Sequence, residues 1–196
     1  MPADLSAVSW PVRTTRLTIR PARAADADAT WRFRRLPAVE RWISSRANTL
    51  AEYRTTFADP DRLAKTLVVE LDDAVIGDLM LAPDDAWAQS DVHDQARGVQ
   101  AELGWCLHPD HHGHGYATEA VTELIRICFA DLGLRRVTAS CFAGNTASWR
   151  LMERLHLRRE QHTVRDSLHR SGQWLDGYGY ALLAEEWRAA NPLMHP

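Results

Sequence analysis

Between residues 117 and 132 the apolar side chains recur at steps of three and four: Ala117, Ala120, Val121, Leu124, Ile125, Cys128 and Leu132. That spacing is one face of an amphipathic helix, and Gly133 stands where a left-handed C-terminal cap belongs. A second stripe, Ala147, Leu151, Met152 and Leu155, predicts a helix opening at Asn145. Ala24–Leu36 has helical character that Pro37 ends. Thr49-Leu-Ala-Glu52 is a capping box heading a short helix through Phe57. Strands are predicted over Arg16–Arg20 (stopped by Pro21), Lys65–Leu71, Val75–Leu81, Gln100–Leu107 (stopped by Pro109), Arg136–Cys141, Leu157–Val164 and Tyr178–Leu183. Asp72-Asp73 marks a hairpin turn between two of them. Pro83–Gly98 is polar and acidic, with Asp84, Asp85, Asp91 and Asp94 around Trp87. At that length it reads as a functional loop or a flexible hairpin extension. The order, ββ with helices and then β-α-β-α-β-β, predicts an α/β fold: a mixed sheet with helices on both faces.

Composition narrows the class without naming a chemistry. A chain of 196 residues favours one domain with one core. Apolar and charged fractions of 45% and 25% are ordinary for a globular protein. A formal charge of −3 gives no electrostatic reason to expect nucleic acid as partner. Lys65 is the only lysine, so nearly all positive charge is arginine. Cys106, Cys128 and Cys141 each lie inside an apolar run, which reads as three buried, reduced thiols. Met1–Pro11 shows no signal-peptide pattern, and no apolar run approaches the ~18–20 residues of a membrane span. The expectation is a cytoplasmic protein that engages neither membrane nor nucleic acid.

The segment that carries chemistry is Gly104-Trp-Cys-Leu-His-Pro-Asp-His-His-Gly-His-Gly-Tyr-Ala-Thr-Glu-Ala120. A strand ends, a short loop carries two glycines, and the long amphipathic helix starts at once. A helix N-terminus exposes unpaired N–H groups and partial positive charge. Gly113 and Gly115 can aim several amides at one point, a geometry suited to phosphate or pyrophosphate. A P-loop would need Gly-Lys-Ser/Thr, which is absent. A dinucleotide fingerprint would need a third Gly or Ala where Thr118 stands, and would normally follow the first strand rather than the fourth.

With these residues in view, the sequence resembles the GNAT acetyltransferase superfamily. His112-Gly-His-Gly-Tyr-Ala117 is similar to the family's Q/R-x-x-G-x-G/A pyrophosphate loop, and Ala101–Pro109 to the strand before it. Asn145-Thr-Ala-Ser148 with Arg150-Leu-Met-Glu-Arg-Leu155 resembles the segment that follows. Gly-x-Gly-Tyr-Ala-Thr-Glu-Ala, the early Arg16-Leu-Thr-Ile-Arg-Pro21 and the late Trp174, Asp176 and Tyr180-Ala-Leu-Leu183 favour the RimJ/RimL-like branch, which acetylates protein N-termini and sometimes small amines. The resemblance implies a GNAT-type mixed, mostly antiparallel central sheet flanked by helices on both faces. It places the domain over residues 14–187, with an extension at 1–13 and a tail at 188–196. It also implies acetyl-CoA as co-substrate and no metal. Two departures stand out: His112 replaces the usual Gln or Arg, and His156-Leu157 replaces a Gly-Phe. The second predicts altered packing near the pantetheine.

Acetyl transfer to an amine needs a neutral amine, donors for the oxyanion and a proton for the leaving thiolate. A carboxylate acting through water can take the amine proton, an effect worth roughly 10²–10⁴ in rate. Glu102 is the first candidate base; it shares a strand face with Gly104 and Cys106, and the alternative is a solvated strand residue. By resemblance the strand splays at Trp105, Cys106 and Leu107 to admit the thioester, where the Cys106 and Leu107 amides can polarise the acetyl carbonyl. His112, Gly113, His114, Gly115, Tyr116, Ala117 and Thr118 form the phosphate loop. Asn145 is either a hydrogen-bond partner of the pantetheine arm or an N-cap, and the roles are compatible. Ser148 lies by resemblance close to the sulfur and can donate to the thiolate; the alternative is an ordinary first-turn serine. Tyr116 and Tyr180 are other possible acids.

His108, His111, His112 and His114 invite a zinc reading, but no cysteine or carboxylate pattern accompanies them. The better reading sets imidazoles near phosphates, so that CoA binds more tightly as they protonate. For the acceptor, Trp31, Trp42, Trp87 and Trp174 can wall a pocket, and Asp84, Asp85 and Asp91 can attract a cationic amine. The alternative for each Trp is core packing or loop anchoring. The expected partner is a small-molecule or peptide amine, the expected assembly a monomer or homodimer. Two rival functions remain: antibiotic or aminoglycoside acetylation, and a non-catalytic acyl-CoA sensor.

Overall fold

The computed structural model describes residues 5–192. In it Asp72 and Asp73 both take positive φ, 49° and 62°. Two such residues in succession make the type I′ turn whose twist matches a hairpin, and short acidic side chains tolerate it. The turn joins β3 (Thr66–Leu71) to β4 (Ala74–Asp84). The other strands are β1 (Val12–Arg13), β2 (Thr18–Pro21), β5 (Gln100–Leu107), β6 (Arg136–Phe142), β7 (Arg158–Leu168) and β8 (Trp174–Leu183). The strand order is β1-β2-β3-β4-β5-β6-β8-β7. Strands β5 and β6 pair in parallel, while β1–β2, β2–β3, β3–β4, β6–β8 and β7–β8 pair antiparallel. The expected mixed, mostly antiparallel sheet is therefore present.

The described residues form two compact units, and β4, β5 and α5 (Tyr116–Arg126) contribute residues to both. One unit holds residues 9–81 and 104–123. Its helices are α1 (Ala27–Arg34), α2 (Pro37–Glu40), α3 (Leu50–Phe57) and α4 (Pro60–Leu63). Ala27, Tyr53 and Phe57 pack with Val68 in one core cluster, joined by Trp31, Leu63 and Val75 at its edge. Thr49 Oγ1 accepts the Glu52 N–H at 3.1 Å, as the capping box requires. The reciprocal bond reaches one residue further back, from the Asn48 N–H to Glu52 at 2.8 Å. Pro37 ends α1 as expected but also opens α2, where a missing N–H costs nothing. The predicted helix Ala24–Leu36 is shorter: a 3₁₀ turn at Ala24–Asp26, then α1. The predicted first strand at Arg16 starts only at Thr18, because Thr14–Leu17 forms the turn out of β1.

The other unit holds the rest of the described chain, with α6 (Thr146–Arg154) and α7 (Ala184–Ala190). The predicted helix 117–132 has its full extent, but α geometry stops at Arg126. A π turn covers Ile127–Asp131, with Leu132 N–H bonded to Ile127 C=O at 3.0 Å. Ile127, Cys128 and Phe129 are all buried there, and Gly133 caps the end with φ of 65°. Strand β7 runs four residues beyond the predicted Val164 because Arg165, at φ 50°, makes a bulge rather than a stop. Asp176 accepts the bulged Arg165 N–H at 3.0 Å. The acidic 83–98 segment is a tied loop: Ala86 N–H bonds Ala96 C=O at 2.8 Å and Asp85 accepts the Gly98 N–H at 2.7 Å. The first four residues of the predicted 1–13 extension and the last four of the predicted tail lie outside the described residues. No helix among the described residues is long and apolar enough to cross a membrane.

Candidate active site

The phosphate loop is built by strand end, turn and helix start in succession. Strand β5 stays on β4 to its end, where His108 N–H bonds Ile76 C=O at 2.8 Å. Pro109–His111 makes one 3₁₀ turn. Gly113 and Gly115 then take φ of 80° and 83°, and α5 begins at Tyr116. Both glycines sit in the left-handed region that L side chains avoid, so the loop depends on them. A Cβ on Gly113 would meet nothing within 4 Å, which leaves the outer side of the loop open to a ligand. First-turn N–H groups of a helix have no intrahelical acceptors, and here they stand beside that open loop. These residues fit a diphosphate.

Three residues that the sequence left unassigned hold this loop. Glu119, in the first turn of α5, accepts from Thr14 Oγ1 at 2.5 Å and from the Arg16 N–H at 2.8 Å. The Arg16 guanidinium reaches the same carboxylate through Nε at 2.7 Å and donates through Nη1 to His114 C=O at 2.9 Å. Its carbon lies 4.5 Å from the Tyr116 ring centre. Burial works against the Glu119 charge, but the Thr14 and Arg16 hydrogen bonds outweigh it and hold the carboxyl below its ordinary range. The usable signal was an acid in the first turn of the best helix.

The remaining candidates divide between the units. His112 Nε2 lies 3.2 Å from Leu107 C=O, so the residue replacing the family's Gln or Arg ties the loop to the end of β5. His108, His111 and Tyr116 meet edge-on or tilted, and His114 stacks on Tyr116 with centroids 5.7 Å apart. Among the described residues no group of three or more His, Cys, Asp or Glu is placed to hold a metal ion. Trp105 is half-buried, while Cys106 and Leu107 are buried. Burial pushes the Cys106 thiol up to about 12.

In the other unit Glu102 is exposed and pairs with Thr138 where β5 runs parallel to β6. Asn145 caps α6, its Oδ1 accepting the Ser148 N–H at 3.4 Å. Ser148 is also a hydrogen-bond partner of Cys141, whose thiol is pushed up to about 11 by burial, an effect the serine opposes. Cys141 is thus half-buried beside a hydroxyl rather than fully buried as expected. Tyr180 is buried and donates to Glu153 at 2.8 Å; burial first, then that carboxylate, pushes it up to about 12. Trp31 packs on Tyr53 with centroids 5.0 Å apart, whereas Trp87 is 92% exposed and anchors nothing in the core.

The profile of the acetyltransferase (GNAT) domain family matches residues 16–158. The chain belongs to the GNAT acetyltransferase family. GNAT enzymes are N-acetyltransferases that draw on acetyl-CoA, and this chain is an acetyltransferase of that kind. YnaD of Bacillus subtilis, named as an uncharacterized N-acetyltransferase, is 35% identical over 86 residues, which cover 44% of this chain and 50% of that protein. A GNAT acetyltransferase from Bacillus anthracis superposes with a TM-score of 0.75 at 27% identity, covering 90% of this chain and 99% of the other. Mycobacterium smegmatis RimJ, solved with CoA-disulfide, has the same fold: TM-score 0.69, 24% identity, 87% of this chain and 83% of that one.

Proposed function

We propose that this GNAT chain transfers the acetyl group of acetyl-CoA to a primary amine, either a protein N-terminal α-amine or a small-molecule amine, in the cytoplasm. The proposed catalytic domain runs over residues 14–187, without a metal. The observation that carries the reading is the loop with Gly113 and Gly115 at φ of 80° and 83° feeding directly into α5. Its amides, from His112 through Thr118, receive the CoA diphosphate. The thioester supplies the activated acetyl group. Asn145 steadies the pantetheine arm, and Trp105 flanks it.

The protein's own groups then manage protons and charge. Glu102, exposed on β5, takes the amine proton through water. A free α-amine loses its proton near pH ~8, so a base at neutral pH has work to do. The Cys106 and Leu107 N–H groups polarise the acetyl carbonyl oxygen, since donors fixed in advance act where charge develops. Ser148 donates to the departing thiolate. The likeness to YdaF of Bacillus subtilis, named as a putative ribosomal N-acetyltransferase and 34% identical over 88 residues, supports a protein amine as acceptor.

The test is thiol release from acetyl-CoA against dipeptides, polyamines, amino acids and aminoglycosides. Turnover with N-terminal dipeptides or a small amine is expected, and a slow Glu102→Gln variant that still binds CoA. Release with antibiotics alone would move the function to drug acetylation. Strong CoA binding with no release from any amine would make the chain a sensor.

A further inference from the structure

Asp78, in β4, is 2% exposed and accepts Arg34 Nε and Nη2 of α1 at 2.6 Å each. The two side chains are 3% and 17% exposed. This is a two-pronged buried ion pair, and such pairs are geometrically exacting rather than generously stabilising. Apolar residues of similar volume often replace them without loss of stability. Stability alone therefore gives little reason for two charges at this spot.

Their surroundings give a better one. Phe33, the neighbour of Arg34, packs in a cluster with Val39 and Cys106. Gly77, the neighbour of Asp78, has no room for a side chain: a Cβ there would lie 2.7 Å from the Cys106 carbonyl oxygen and 2.9 Å from Leu107 Cγ. The β4 backbone is thus pressed against the Cys106–Leu107 segment. One residue on, β4 is bolted to α1.

We propose that Arg34 and Asp78 are positioning residues for acetyl transfer: through β4 and Gly77 they fix the Cys106 and Leu107 amides where the acetyl oxygen is polarised. The proposal rests on the acetyl-transfer reading above. Neither residue touches the reacting atoms; each acts through the strand. Oxyanion donors must sit about 2.7–3.1 Å from the developing charge, and a misplacement of about 1 Å can cost about 100-fold.

Three variants of the full chain test it: Gly77→Ala, Arg34→Lys, and Arg34→Met combined with Asp78→Leu. For each, kcat and KM for thiol release, Kd for CoA and the thermal midpoint are measured. Positioning predicts kcat lowered about 10- to 100-fold in Gly77→Ala and in the apolar pair, with the CoA Kd within about twofold of the parent. Arg34→Lys keeps the charge but loses the fork, and falls between. A kcat within about twofold of the parent in Gly77→Ala and Arg34→Lys, with only the midpoint lowered, overturns the proposal even if the apolar pair fails to fold. If the parent chain itself neither binds CoA nor releases thiol, the acetyl-transfer reading fails; if the parent turns over and the variants match it, only the positioning fails.

Discussion

Arg16 and Glu119 form a two-point lock across the mouth of the phosphate loop: Nε to Oε2 at 2.7 Å, and the Arg16 N–H to Oε1 at 2.8 Å. Arg16 also holds the His114 carbonyl at 2.9 Å. The lock joins the turn after β1 to the first turn of α5, so loop geometry depends on residues about a hundred positions away in sequence. Replacing Glu119 by Gln removes its charge and loosens the loop. Charge-assisted hydrogen bonds contribute about 1.5–3 kcal/mol when enclosed and less when part-exposed, so CoA affinity should fall about tenfold. Isothermal calorimetry of CoA with parent and Glu119→Gln decides it; equal affinities contradict the lock.

Two paired carboxylates, Glu119 and Glu160, set an acid limit on stability. Burial opposes ionised Glu119, yet Thr14 and Arg16 hold its folded value below the ordinary 4.5. Glu160 is lowered from 4.5 to about 2, mainly by its hydrogen bond from Arg136, with Arg158 assisting. Groups whose folded value is depressed add stability above the unfolded value and lose it as pH falls through the folded one. The thermal midpoint should therefore fall steadily from about pH 4.5 towards 2. Glu160→Gln and Glu119→Gln should each flatten part of that slope. A midpoint indifferent to pH across this window contradicts the assignment.

The glycines of the loop should tolerate no side chain, for conformational rather than steric reasons. Gly113 has open space around it and still needs φ of 80°. Gly113→Ala should therefore cost about 1–2 kcal/mol, and Gly115→Ala a similar amount. Chemical denaturation reads this directly. A Gly113→Ala variant as stable as the parent would mean that the loop is less fixed than described.

Removing one partner of the buried pair differs from removing both. Asp78→Asn leaves the enclosed Arg34 guanidinium uncompensated, a loss of about 3–5 kcal/mol. Urea titration should show the midpoint shifting with little change in slope.

Much of this was legible because it is local. The alternating and helical stripes located seven of the eight strands among the described residues, the long helix and the capping box, and the two glycines marked the loop. The two-residue β1 carries no pattern to read, and α2 and α4 are single turns opened by Pro37 and Pro60 rather than by an apolar stripe. The end of the long helix was right in extent and wrong in kind, since nothing in Ile127-Cys128-Phe129 separates a π turn from an α turn. The lock of Arg16 on Glu119 and the Arg34–Asp78 pair were invisible for another reason. Each joins residues far apart in sequence, and charged side chains in a strand or helix read as solvated until packing encloses them.

The central claim is that the backbone amides of the Gly113–Gly115 loop and the first turn of α5 receive the CoA diphosphate. A crystal structure of the protein grown with CoA tests it most directly. The account predicts phosphate oxygens within hydrogen-bonding distance of N–H groups between Gly113 and Thr118, with Arg16 and Glu119 still joined. Phosphates bound anywhere else on the chain would contradict it.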